Sequence, residues 1–240
     1  MSIETSSWLG RIVKRPSLIF AAIAVVVVVA GAFLGARYWT HTDALTCRPD
    51  DLSRRHAEIF ATNNTAVISD PNDGRLRDGL ETFEQQAEDT MARNNTHAGG
   101  STLLDGVYWS DDLQLTTYER SREFHVCDLD APGLHAVAEV VRRQFNQESV
   151  LTFEYLPQNW SGSDAAIVEV PGIDVHRFHD ALVGDHPARE RLDGGSVTTD
   201  RTLLLVAGVA DIDVARNLVG EAGGDWSAAR VHYGKREFVE

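Results

Sequence analysis

From Leu18 to Ala36 the chain runs nineteen residues without a charge, in the order LIFAAIAVVVVVAGAFLGA. At 1.5 Å of rise per residue, a helix of this length covers a hydrocarbon layer of ~30 Å, and one that is apolar on every face has no side to turn to water. Arg11, Lys14 and Arg15 precede the run against Glu4 alone. The positive-inside rule therefore keeps residues 1–17 in the cytoplasm and sends the C-terminus across the plasma membrane. Tyr38 and Trp39 follow where an interfacial aromatic belt belongs, which sets the expected anchor at 18–39. A cleaved signal peptide shares this charge logic, with Ala30-Gly31-Ala32 as its small-residue site. Its apolar core is shorter, however, and this run continues through Phe33 and Leu34. A lipoprotein signal fits less well, because Cys47 lies well beyond the run. Gly31 and Gly35 form a GxxxG pair, a face on which two such helices can approach closely as a homodimer, although Gly and Ala are also simply common in membrane helices.

Beyond the anchor the chain is acidic. The formal net charge is -14, although residues 1–17 carry three basic groups against one acidic. Such a surface disfavours nucleic acid and anionic lipid as partners. Lys is scarce beside Arg, a bias typical of GC-rich bacterial genomes, and it points to a bacterial envelope and to other envelope proteins as partners. Cys47 and Cys127 both fall on the expected oxidising side and are expected to pair. Closing a loop of about 80 residues would stabilise the fold by roughly 4–5 kcal/mol on the chain-entropy view.

Apolar periodicity divides the remainder into a helical juxtamembrane region with a linker, 40–100, and an α+β domain, 101–240. In the first, Asp50 or Asp51 caps a short helix carrying Leu52, Ile59 and Phe60. Leu76, Leu80, Phe83, Ala87 and Met91 form one helical stripe after a turn at Asp70–Gly74, and residues 94–101 form a flexible linker. In the second region alternation predicts strands through Leu113–Cys127, Leu151–Tyr155, Ala165–Val170, Thr202–Ala207 and Val231–Val239. Helices fall between them, starting at Asp130, Asp174 and Asp211 or Asp213. The resulting order, β-α-β-β-α-β-α-β, predicts a ferredoxin-like βαββαβ sandwich with an extra αβ unit. Ile173-Asp174-Val175-His176-Arg177 and Ile212-Asp213-Val214-Ala215-Arg216 echo one another, and shared helix-capping chemistry accounts for the echo as well as duplication does.

Chemistry-bearing motifs are sparse. His176, His179 and His186 are interleaved with Asp174, Asp180 and Asp185, and the first two lie one helical turn apart, within reach of a shared divalent ion. Their spacing matches no zinc motif, and Pro187 ends the helix near the third. No GxSxG elbow, SxxK pair, P-loop or GxGxxG occurs, so no cofactor is expected. Gln158, Asn159 and Trp160 form a polar loop with an aromatic at its tip, a frequent contact point for partners. The sequence thus suggests a membrane-anchored envelope protein whose outer domain is a protein-binding or scaffold module. The alternative is an anchored hydrolase or metal-dependent enzyme built on His176, His179 and His186.

Overall fold

A computed structural model describes residues 55–240. The apolar run, Gly31, Gly35 and Cys47 lie outside the described residues. Among the described residues no helix is long and apolar enough to cross a membrane, and the transmembrane helix expected at 18–39 lies outside them. Of the expected Cys47–Cys127 pair only Cys127 lies among the described residues, and it is held in a disulfide. Cys127 is not a free thiol, and its Sγ lies 3.8 Å from Nδ1 of His56.

Eight strands form the described structure: β1 (His56–Ala61), β2 (Ala98–Ser110), β3 (Leu115–Cys127), β4 (Val150–Tyr155), β5 (Ala165–Pro171), β6 (Gly194–Thr198), β7 (Thr202–Gly208) and β8 (Arg230–Val239). The helices are α1 (Glu81–Arg93), α2 (Ala131–Gln144), α3 (Val175–Gly184), α4 (His186–Arg191) and α5 (Ile212–Glu221). All strand pairs are antiparallel, and the sheet closes in the order β1-β3-β2-β6-β7-β5-β8-β4. The expected ferredoxin-like sandwich with an appended αβ unit is therefore replaced by a closed barrel. The chain runs β-α-β-β-α-β from β1 to β4 and, with α4 interposed, again from β5 to β8. β2 and β4, which would be the open edges of a four-stranded sheet, pair instead with β6 and β8. Closure leaves no row of unpaired backbone groups, which is the physical gain over an open sandwich.

Three local readings shift with it. The segment HAEIFA, expected in a helix with Leu52, is β1: Ala57, Ile59 and Ala61 pack under Phe83, Ala87, Val137 and Val141. The expected linker at 94–101 gives way to β2, whose register slips between Ala98 and Gly100 as a bulge. The strand expected from Leu113 begins at Leu115, with Leu113 in the hairpin turn.

Helices cover the outer face and leave the inner one to the strands. α1 and α2 lie over the first half, where Phe83 meets Phe124 and Phe145 edge to face at 5.9 and 4.6 Å. α3, α4 and α5 cover the second half through Phe178, Leu182, Ala188, Val214 and Leu218. Inside the barrel a smaller cluster of Leu104, Phe153, Ala165, Ile167 and Leu204 fills part of the lumen. α2 starts where the sequence places it: Asp130 accepts from the Gly133 N–H at 2.9 Å, and Pro132 occupies the first turn. Asp130→Ala is expected to lower unfolding free energy by about 1 kcal/mol and Asp130→Asn to restore most of it, as read from urea midpoints.

Candidate functional site

The residues singled out from sequence are dispersed. His176 is exposed in the first turn of α3. His179 is tied to Thr116 (Nε2 to Oγ1, 3.2 Å) and Asp180 (Nδ1 to Oδ1, 3.0 Å), and its ring stacks on Tyr118. His186 begins α4 and faces Glu190 at 3.6 Å. Each has its own partner or faces solvent, and they form no metal-ligating group among the described residues. The Trp160 loop joins the two halves. It is held by its own bonds, with the Trp160 N–H and the Ser163 hydroxyl both donating to the Pro157 carbonyl. Gln158, Asn159 and Trp160 are all exposed, and the Trp160 ring, 60% exposed, does not fold back over the sheet.

A groove lies on the outer surface of the second half, between the α3–α4 corner and α5. Ala181, Gly184 and Gly220 are among its lining residues, along with Asp180, His186 and Glu221. Neither Gly184 nor Gly220 has a positive φ, and a Cβ added at either would meet nothing within 4 Å. Gly184 is the last residue of α3 and Gly220 lies one residue from the end of α5, so each costs less than the roughly 1 kcal/mol, relative to alanine, of a helix interior. Neither internal packing nor backbone conformation requires them.

The lumen holds the other concentration of unusual groups. β3 alternates strictly, sending Phe124 and Val126 to the outer core, so Glu119, Ser121, Glu123 and His125 share the opposite face. Register sets Glu58 of β1 across from His125, and Phe60 across from Glu123. Glu58, Glu123 and His125 bring one ligand atom each to within 4.8 Å of one another. Glu58 is 2% exposed; burial, opposed by a hydrogen bond from the Tyr155 hydroxyl, holds its carboxyl well above the usual range. Glu123 is 6% exposed and is pushed up to about 8, first by burial and then by Glu58, with His125 pulling the other way. Glu119, half-buried further along β3, is raised to about 7 by burial, with the Ser121 hydroxyl drawing it back. His232 approaches Glu169, a further carboxylate of this neighbourhood, at 3.9 Å, and its ring meets that of Tyr155 edge to face.

The sequence reading missed these lumen residues. The signal was present as a period of two in polar residues along β3, but such a pattern also describes a solvated sheet face.

No protein-family model matches the chain, and no curated protein does. Two solved structures show distant likeness. A phage SAM lyase in complex with S-methyl-5'-thioadenosine is 18% identical with a TM-score of 0.31, over 42% of this chain and 79% of that one. A putative monooxygenase from Lactobacillus acidophilus NCFM is 12% identical with a TM-score of 0.23, over 78% and 96%. At these scores neither likeness carries an argument about this chain.

Proposed function

We propose that this chain is a protein-binding module whose partner seats a segment in the groove between the α3–α4 corner and α5. One observation carries the reading: Gly184 and Gly220 open that groove at a cost in helix stability that nothing inside the fold repays. Glycines at such positions let a partner backbone come close, while Arg177, Asp180, Arg216 and Glu221 around them offer charges of both signs for register. The lumen supports no rival reading as a metabolite cavity. Phe153, Tyr155, Ile167 and Leu204 fill part of it, and the Tyr108 ring occupies the space beside Gly106.

Gly184→Leu and Gly220→Leu test the reading, since both fill the groove without touching the fold. The expected outcome is an unchanged or slightly raised melting temperature together with loss of the proteins that co-purify with the full-length chain from its native source. Co-purification of the same set with both variants would overturn it. The exposed Trp160 ring favours a second contact at the loop joining the halves; Trp160→Ala then weakens capture while leaving the groove variants' effect intact.

A further inference from the structure

We propose that Glu58, Glu123 and His125 bind a divalent first-row transition-metal cation inside the barrel, a site independent of the outer groove.

The geometry brings two buried polar atoms together without satisfying either. Oε2 of Glu58 and Nδ1 of His125 stand 2.7 Å apart, yet neither has a hydrogen-bond partner, because the ring nitrogen is not aimed at the oxygen as a donor would be. Both atoms belong to the same three-residue cluster, and Glu58 is almost wholly buried. A buried carboxylate oxygen with no donor is costly, and a second carboxylate, Glu123, compounds the cost by Coulomb repulsion. A dication placed among the three ligand atoms removes both costs together.

The surroundings suit such an ion. Oγ1 of Thr102 lies 3.3 Å from Nε2 of His125. With the Nε2 proton donated to Thr102, the imidazole is neutral and its Nδ1 lone pair is free for a metal, the arrangement by which an outer hydrogen bond orients a ligating histidine. The Tyr155 hydroxyl steadies the Glu58 carboxyl. Two carboxylates and one imidazole form a mixed O/N donor set, which favours zinc or manganese over magnesium or calcium. The His125 side chain is 27% exposed, so the cluster can be reached from solvent at its histidine.

The test uses the full-length chain, stripped with EDTA and titrated separately with Zn2+ and Mn2+ at pH 7.5. One equivalent is expected to be retained on equilibrium dialysis. His125→Ala and Glu58→Gln should each weaken binding by about 100-fold or more, and Thr102→Val by about 10- to 100-fold. His176→Ala and His186→Ala should change nothing. A readout on the unaltered chain guards against a variant that fails to fold: Co2+ added below one equivalent should broaden the His125 ring signals in NMR before those of His176 and His186. Absence of uptake at 1 mM metal, unchanged affinity in the lumen variants, or earlier broadening at the surface histidines would each overturn the site; the first of these would leave the cluster a holder of protons.

Discussion

Gly234→Ala is expected to lower the free energy of unfolding by about 3 kcal/mol or more. Gly234 lies in β8 opposite Tyr155 on one side and Ala165 on the other, where the two halves of the chain meet. A Cβ there would stand 2.2 Å from the Glu154 carbonyl oxygen and 2.5 Å from the Phe153 ring. A backbone carbonyl within a paired strand cannot move aside as a side chain can, so relief requires opening the β4–β8 ladder. The Phe153 ring is itself part of the lumen cluster, so its displacement spreads the damage to Ile167 and Leu204. Urea unfolding followed by far-UV circular dichroism measures the loss. Gly220→Ala, which meets open space, is the matched control and should gain a few tenths of a kcal/mol or more. Equal midpoints for the two variants would show that the seam is not closed as described.

Raising the pH from about 5 to about 8.5 is expected to destabilise the metal-free protein progressively, a consequence of the lumen carboxyls. Folding carries Glu123 from the ordinary 4.5 to about 8, and burial is the main cause. Between those values the folded chain binds more protons than the unfolded one, so stability falls as pH rises through the interval. The stabilisation is complete below about 4.5 and gone above about 8. For an isolated site this shift corresponds to about 5 kcal/mol. Glu58 moves in the same direction, and Glu119, at about 7, adds a smaller part because no neighbouring carboxylate adds to its burial as Glu58 does for Glu123. Asp73 and Glu139 act oppositely. Their arginine partners hold them at about 2, so what they contribute is lost only as the pH falls through the acid range. Maximum stability is therefore expected near pH 5, lower than for a domain whose core carries no acids. Urea midpoints at pH 5, 6.5 and 8 in EDTA give the profile, and Glu123→Gln should flatten it. A profile that rises toward pH 8 would mean the lumen carboxyls are better solvated than their burial indicates.

These two expectations depend on the inner face of the sheet, whereas the proposed binding function depends on the outer one. A partner in the groove touches α3, α4 and α5 on the outer surface, and an ion in the lumen touches the inner faces of β1 and β3. The sites therefore sit on opposite faces of the sheet and can be varied separately.

Much of the secondary structure was legible from residue spacing, because local chemistry is sufficient for it. Asp130, Pro132 and the stripe Leu134, Val137, Ala138 and Val141 define α2 without reference to the rest of the chain. Asp174 caps α3 by accepting from the His176 and Arg177 N–H groups, as its place before an apolar stripe implies. Where local signals conflicted, the reading failed. HAEIFA carries apolar residues on both faces of a strand, since Phe60 serves the lumen while Ile59 serves the outer core, and that defeats a period-two test. GGSVT offers almost no side chain to read, although all five residues of β6 are buried.

The echo between Ile173–Arg177 and Ile212–Arg216 now has its place at the starts of α3 and α5, equivalent helices within the second half. Their capping differs in the structure: Asp174 bonds the first turn, whereas the carboxylate of Asp211 pairs with Arg191.

By itself the sequence determined which residues alternate, which residues cap helices and which face of each helix is apolar, because these follow from bonds and contacts within a few residues. The side of the sheet on which Glu58, Glu123 and His125 lie was decided only by the tertiary structure. In an open sandwich that face meets water and acidic side chains there are unremarkable. When β2 pairs with β6 and β4 with β8, the same face becomes an interior, water is withdrawn, and polar residues that looked like surface become buried charges in need of a partner.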